Sequence, residues 1–510
     1  MSVWSSGYNV ELGYTFGYYR EMAPRWLDFV AIARGITPPS GAWRYLELGC
    51  GQGVGLALLA ASHPDHQFVG IDFNPLHVAH ARGLAAAAGL SNVRFEEANF
   101  IDLAQQWPAD WGRFDYVAAH GIYSWLAVPT RHGLIGTMGH ATAPGALVYV
   151  SYNALPGWLS TFPVQHLLRL WQTSEEMQSV KAITSGMERL KALIDNNTAM
   201  TRVLPAIADR LKQLLPLDRS YLVQEYLHDD WHPMWFDAVA REMAAAKLTY
   251  VGTATVGDLY LSAVLSEEQR KLIGGYESPI VREVMIDVLV NQSFRRDVFG
   301  RGNTPLWTGQ QRDLLRVRRV VLLNRPAPDS EIKLQLSVGE VSGKKEVFHP
   351  LIASLAEGPK SIEELMKVPG QSARTFGDTV EAVAMMLHAG YIAMYDPISD
   401  PAPAKSLNRA IARAAASGAP YRNMINSTTG VVIEAVDTDL MMLSISTDRA
   451  DLDAEQLAET LVDRLMVIGK TLMQNGEPLN DRPKMIALAQ TLARVFLEKT
   501  WPGWKKTGVV

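Results

Sequence analysis

The chain has a single cysteine, Cys50, among 510 residues. One thiol can form neither an internal disulfide nor a thiolate cluster for structural zinc, so the sequence points to a reducing compartment. Positive charge is not in excess either, with 48 Lys and Arg against 53 Asp and Glu and a formal net charge of −5 when histidine is neutral. No net basic field draws such a chain to phosphate backbones or anionic lipid, and no nucleic-acid partner is expected. No stretch offers the roughly 18 uninterrupted apolar residues of a spanning helix. The amino terminus, MSVWSSGYNVELG, lacks the basic start and apolar run of a secretory signal. A cytoplasmic protein without a membrane span is the expectation. Neither a fixed-period repeat nor a low-complexity tract interrupts the text.

What is present is an ordinary globular composition, 48% hydrophobic and 20% charged, in a chain long enough for about three domains at roughly 150 residues each. From Trp43 to Ser151, short β-rich runs (Arg44 to Leu48, Phe68 to Ile71, Val93 to Phe95, Phe114 to Ala119, Ala146 to Ser151) alternate with helix-like stretches. Their spacing suits βαβ units, so the fold class expected is α/β, a doubly wound Rossmann-like domain. Beyond Trp158 the apolar positions of LLRLWQ, MERLKALI and LPAIADRLKQLL recur every three or four residues and predict amphipathic helices. Turn residues after Asn324 and the alternating EIKLQLSV mark a further border. Pro350 to Asp396 has a winged-helix outline, with Ser361 and Glu364 as a capping box, but three basic residues there face six acidic ones, a poor balance for duplex binding. The last hundred residues combine a strand-like pair, VVIEAV and MMLSIS, with helices in an α+β unit. The expected domains are 1–158, catalytic; 159–325, helical and regulatory; 326–400, winged-helix-like; and 401–510, α+β.

The densest chemical signal is Tyr45-Leu-Glu-Leu-Gly-Cys-Gly-Gln-Gly-Val-Gly55, an apolar strand running through glycines into the helix-like LALLAAS. Glycines let backbone amides approach a ligand closely at the positive end of the next helix. A dinucleotide loop would need a glycine where Val54 stands. Instead Gly49, Gly51 and Gly53 follow Glu47, a carboxylate placed to hold an ammonium group and to repel pyrophosphate. Nineteen residues after Gly53, the second strand ends in Asp72, where an acid receives ribose hydroxyls. A nucleoside that also carries an amino group satisfies both acids.

E-x-G-C-G-x-G followed by G-I-D resembles the first two motifs of class I S-adenosylmethionine-dependent methyltransferases. The resemblance implies that Gly49, Gly51 and Gly53 line the methionine part of the cofactor and that Asp72 holds its ribose. Phe73 then flanks the adenine, with Asn99 and Phe100 on its far side, while Tyr14 touches the cofactor and Cys50 serves fit within the loop. His120-Gly-Ile-Tyr-Ser-Trp125, Ser151-Tyr-Asn-Ala-Leu-Pro-Gly-Trp158, Tyr221-Leu-Val-Gln-Glu-Tyr-Leu227 and Asp230-Trp-His-Pro233 are similar to bacterial methyltransferases with a methyltransferase regulatory domain. Rickettsial protein lysine methyltransferases are in that group, and the likeness covers about the first 300 residues.

Tyr8, Tyr14, Phe16, Tyr18 and Tyr19 crowd five aromatics into twelve residues. They form either an aromatic wall over the cofactor or the packing face of an amino-terminal helix. The acceptor pocket is placed at Tyr8, Tyr14, Tyr123, Trp125, Tyr152 and Asn153, past the ends of the fourth and fifth strands, with His120 as a general base or a cofactor contact. The run Glu225 to Asp230 reads as a solvated helix end, with a metal site from Asp229, Asp230 and His232 as the lesser alternative, and no metal is expected. The favoured reaction is N-methylation of a protein lysine. O-methylation of a glycan or small-molecule hydroxyl and a non-catalytic cofactor-binding regulator are the alternatives, and a homodimer stays open.

Overall fold

The computed structural model describes residues 16–510 except 329, 372 and 450. Tyr8 and Tyr14 therefore lie outside the described residues. After helix α1 (Pro24–Ala33), the catalytic region alternates β1 (Arg44–Leu48), α2 (Val54–Ser62), β2 (Gln67–Asp72), α3 (Pro75–Ala88), β3 (Val93–Glu97), α4 (Phe100–Gln105), β4 (Phe114–Ala119), α5 (Val128–Ala141) and β5 (Thr142–Asn153). The five strands are parallel, and β1, β2, β4 and β5 are largely buried, as strands covered by helices on both faces must be, while β3 lies at the sheet edge with Phe95 as its buried residue. The chain runs outward from β1 to β3 and returns to β4 beside β1. That reversal opens a crevice at the carboxyl ends of β1 and β4, where α/β sheets bind ligands.

A helical block follows, made of α6 (Phe162–Ser174), α7 (Ser179–Asp195), α8 (Ala199–Val203), α9 (Ala206–Leu214) and α10 (Arg219–Tyr226). Leu168, Ile183, Leu211, Leu222 and Val223 make its core together with Trp125, Trp158 and Trp231. The chain then returns to the sheet through α11 (Phe236–Ala245), β6 (Thr249–Thr253) and β7 (Phe294–Gly300). β7 pairs antiparallel with β5 over seven residues and β6 closes the edge, giving the order β3-β2-β1-β4-β5-β7-β6. The sheet thus extends past the expected border at 158, because the twelve-residue β5 would otherwise leave a long unpaired edge.

Arg319–Leu322 is the central strand of a second sheet, antiparallel to Lys360–Ser361 and Ile392–Met394, so this unit begins ahead of the border expected at 326. The capping box at Ser361 forms, with Ser361 N donating to Glu364 Oε2 (2.6 Å) and Glu364 N to Ser361 Oγ (3.1 Å). One expectation in the carboxyl-terminal unit is corrected: MMLSIS lies in the helix Asp437–Asp448, and Val431–Glu434 pairs with Asn423–Asn426 instead. Leu440 to Leu443 are fully buried, and a helix apolar all round reads in sequence like a buried strand.

Helix Ala402–Ala416 packs through Ala404, Leu407, Ile411 and Ala415 onto Val54, Ala57, Leu58, Leu84 and Ala88 of α2 and α3. This is why eight of the nine residues of α2 are buried and the helix has no polar face. No helix among the described residues is long and apolar enough to cross a membrane.

Candidate active site

β1 ends at Leu48 and the loop beyond it turns back on β2, with Gly49 N and Cys50 N both donating to Ile71 O (2.8 and 3.0 Å). Gly49, Gly51 and Gly53 all adopt positive φ (74°, 52° and 72°). At Gly53 the packing is equally demanding, since a Cβ would stand 2.4 Å from Ala81 Cβ and 2.7 Å from the Phe95 ring. Asp72 braces the loop from β2. Its Oδ2 accepts from Gly51 N (2.9 Å), and its Oδ1 accepts from Asn74 N (2.9 Å) and lies 3.2 Å from His77 Nδ1. Carboxylate oxygens keep further lone pairs, so Asp72 can still receive ribose hydroxyls.

Glu47 is buried beneath the loop, and its Oε2 has no hydrogen-bond partner among the described residues. Burial, with Asp72 adding to it, pushes the Glu47 carboxyl up to about 8. Such a group needs a cationic donor to restore its charge. Burial, Asp72 and Glu47 together hold the Cys50 thiol well above its ordinary range, which suits a packing role and no nucleophilic one.

Residues 17–19 close over this loop. Gly55 lets them approach, as a Cβ there would stand 3.2 Å from Gly17 O. A small cavity, partly open to solvent, lies between Tyr18, Tyr19, Glu47, Gly49, Gln52 and His120. The Tyr19 ring stacks on the His120 imidazole with centroids 3.7 Å apart. His120 Nδ1 lies 2.9 Å from Tyr149 Oη and 3.1 Å from Ser151 Oγ, and burial beside Arg296 lowers its pKa to about 3.

The cavity brings together Glu47, Gly49, Cys50, Gly53 and His120, and Gly51 and Asp72 adjoin it through their hydrogen bond. Phe73 is half-buried just beyond Asp72. Asn99 is exposed and its Oδ1 caps α4 by accepting from Ile101 N (2.8 Å). The Phe100 ring packs in the hydrophobic core with Leu46 and Ile71.

The acceptor pocket changes most. Tyr152 is 1% exposed and donates to Asp297 Oδ2 (2.6 Å), joining the buried Arg295 network of Asp287, Asp297 and Glu283. Tyr123 is fully buried and donates to the Glu242 carboxylate, which Arg131 also pairs. In β5 successive residues face opposite sides, so Tyr152 faces away from Ser151 and His120, while Tyr123, in a tight turn after β4, is directed to Glu242. Asn153 shares the Ser151 face; it is 4% exposed and its Nδ2 has no partner among the described residues. Trp125 packs against His228 and Trp231 (centroids 5.0 and 6.1 Å). Gly17, Tyr18, Tyr19 and Gln52 line the cavity without having been singled out as site residues, although both tyrosines belong to the aromatic run that marked this segment. Arg169 pairs with Asp229, and Asp230 with His232. Among the described residues no group of three or more His, Cys, Asp or Glu is arranged to hold a metal ion.

Residues 40–212 match the family described as a methyltransferase domain, and residues 218–301 the family described as a predicted methyltransferase regulatory domain. An uncharacterised protein of Synechocystis is 32% identical over 391 residues, 76% of each chain. This chain belongs to the class I S-adenosylmethionine-dependent methyltransferases. An uncharacterised protein of Rickettsia prowazekii is 26% identical over 293 residues, covering 56% of the methyltransferase and 51% of that relative. The fold of the methyltransferase is also that of PKMT2 from Rickettsia typhi, solved in complex with AdoHcy, with a TM-score of 0.70 at 18% identity over 95% of this chain and 98% of that one. The cofactor of the methyltransferase is S-adenosylmethionine. When bound it supplies an electrophilic methyl group on a sulfonium, and its ammonium is the kind of donor that the unpartnered Glu47 oxygen lacks.

Proposed function

We propose that this methyltransferase N-methylates a lysine side chain of a protein acceptor. The observation that carries the reading is His120, the imidazole beside the cofactor loop. Its Nδ1 is already within hydrogen-bond reach of Tyr149 Oη and Ser151 Oγ, and burial beside Arg296 lowers its pKa, so it is poorly placed to serve as the base that a hydroxyl acceptor needs. An amine carries its own lone pair once it has lost a proton. At pH 7 a lysine of ordinary pKa is neutral about once in 2,500 molecules, and a dry channel beside a sulfonium raises that fraction by penalising the ammonium. Support for a protein acceptor comes from the fold shared with PKMT2, whose name denotes a protein lysine methyltransferase.

In this reading Glu47 holds the cofactor ammonium, while Gly49, Gly51 and Gly53 admit the methionine part. Asp72 receives the ribose, Phe73 flanks the adenine, and the Asn99 amide NH₂, left over from capping α4, is available to the ring. Tyr18 and Tyr19 exclude water over the sulfonium, and Asn153 turns its buried amide toward the acceptor nitrogen. Alignment and exclusion of water supply most of the rate. The test is incubation of bacterial cell fractions with methyl-labelled cofactor, followed by acid hydrolysis of the protein fraction. Label recovered as methylated lysine supports the reading, whereas label in a glycan, a small molecule or a base-labile ester refutes it.

A further inference from the structure

Past the edge strand β6 lies a cavity of about 280 Å³ that shares no lining residue with the cofactor cavity. Apart from Arg34 and Ser337, every residue lining it belongs to the matched regulatory region, 218–301. Leu259, Val264, Ile273 and Val290 give it apolar walls, and Asp258, Glu283 and Asp287 stand among them. Helix Pro279–Val290 is built mostly of Ile, Val, Leu and Met, yet its one fully buried residue is Asp287, while Ile280, Val281 and Val288 are exposed. A carboxylate withdrawn from water ahead of its apolar neighbours costs stability unless a cation or a set of donors meets it.

Arg295 meets only part of that charge. Its Nη1 donates to Asp287 Oδ1 (2.7 Å), its Nε to Asp297 Oδ2 (2.9 Å) and its Nη2 to Glu283 Oε2 (2.9 Å), so one guanidinium serves three carboxylates. It is held over the Phe236 and Tyr250 rings, 4.3 and 5.7 Å from their centroids. Asp287 Oδ2 is left buried with no hydrogen-bond partner among the described residues. The other cations lining the cavity, Arg34 and Arg282, are exposed, and each donates its Nε to a main-chain carbonyl, of Val251 and of Tyr276. Asp258 accepts from Ser337 Oγ (3.0 Å) and makes no ion pair among the described residues. Burial, opposed by Arg295, pushes the Asp287 carboxyl up to about 7. Glu47 shows the same pairing of an orphaned oxygen with a raised carboxyl beneath the cofactor loop.

We propose that this cavity is a second ligand site, which binds a small organic ammonium ion with its charge against Asp287 and Glu283 and its carbon chain along Leu259, Val264, Ile273 and Val290. The ammonium supplies the donor that Asp287 Oδ2 lacks and the positive charge that a single arginine cannot give three carboxylates. Apolar walls favour an organic cation over a metal ion, for which no group of three or more His, Cys, Asp or Glu is arranged among the described residues. The inference is independent of the acceptor lysine and gives the regulatory region a ligand of its own.

Calorimetry on the full-length protein saturated with S-adenosylhomocysteine tests this, with pentylammonium chloride as probe and pentanol and pentanoate as controls of the same chain length. The expected result is saturable binding of one pentylammonium in the millimolar range, as suits so few atoms. The alcohol and the carboxylate bind about tenfold more weakly or worse. Asp287→Asn, which keeps the shape and removes the charge, and Val290→Phe, which fills the cavity from its wall without touching an ion pair, each weaken pentylammonium by about tenfold or more. Both variants keep their affinity for S-adenosylhomocysteine within about twofold, since neither residue lines the cofactor cavity. Absence of saturable heat from pentylammonium overturns the inference, as does equal binding of pentanol or pentanoate. Wild-type affinity in either variant also overturns it, because the ammonium would then sit elsewhere, such as the acceptor channel. Should Asp287→Asn fail to fold, Val290→Phe and Glu283→Gln decide, and wild-type affinity in both refutes the site.

Discussion

Replacing Glu47 with glutamine should make the cofactor-free protein more stable and the cofactor weaker, with a dependence on pH that fixes the cause. The folded-state pKa of Glu47 is raised from 4.5 to about 8, so between these values the folded protein binds a proton that the unfolded chain releases. Stability falls as pH rises through that window. By pH 7 the rise from 4.5 corresponds to about 3 kcal/mol at roughly 1.4 kcal/mol per pH unit. Relaxation of the site reduces this, and about 1 to 3 kcal/mol is the expected gain for Glu47→Gln at pH 7, vanishing near pH 4.5. Urea denaturation of the two cofactor-free proteins at pH 5 and pH 8 reads the difference directly. Binding gives a second readout. At pH 7 about nine-tenths of Glu47 carries a proton, and pairing with the cofactor ammonium expels it, so calorimetry in buffers of different ionisation heat should show the wild type releasing nearly one more proton than Glu47→Gln. Equal proton release, or midpoints that shift with pH in parallel, would mean that Glu47 stays ionised in the empty site and that the reasoning is wrong.

Tyr152→Phe removes a donor from buried Asp297 and should lower stability by about 1 to 3 kcal/mol with cofactor affinity unchanged, measured by denaturation and calorimetry. His120→Ala should lower turnover less than about tenfold and leave the pH profile intact, because the imidazole is neutral across the working range; a loss of 10² or more with a pH limb removed would revive a hydroxyl acceptor. Asp396, hydrogen-bonded by Arg25 and His63, is depressed from 3.8 to about 2 although burial opposes the shift. Its contribution of about 2 kcal/mol is therefore present above pH 4 and lost between pH 4 and 2. Asp396→Asn should accordingly lower the denaturation midpoint at pH 7 and flatten its acid dependence.

The sequence made the catalytic half legible because its parallel strands are continuous apolar runs, each ending at a residue with a chemical task, as Leu48 leads to Gly49 and Ile71 to Asp72. β7 escaped notice for the opposite reason. Phe294-Arg-Arg-Asp reads as surface, yet Arg295 and Asp297 are both buried and satisfy each other, a pairing that no hydropathy pattern shows. Tyr123 and Tyr152 were placed in the pocket by their position at strand ends. Position along a strand is readable, whereas the side a ring faces depends on partners such as Glu242 and Asp297 that lie more than a hundred residues away.

The packing of helix Ala402–Ala416 on α2 and α3 also sets a timetable for synthesis. The apolar outer face of α2, the helix that follows the glycine loop, is complete once Ser62 leaves the ribosome, but its cover is still about 340 residues away. At roughly 5 to 20 residues per second that interval lasts on the order of 20 to 70 s. During it, the apolar outer face of α2, beside the future cofactor loop, has no cover from that helix, and such surface is prone to unwanted association.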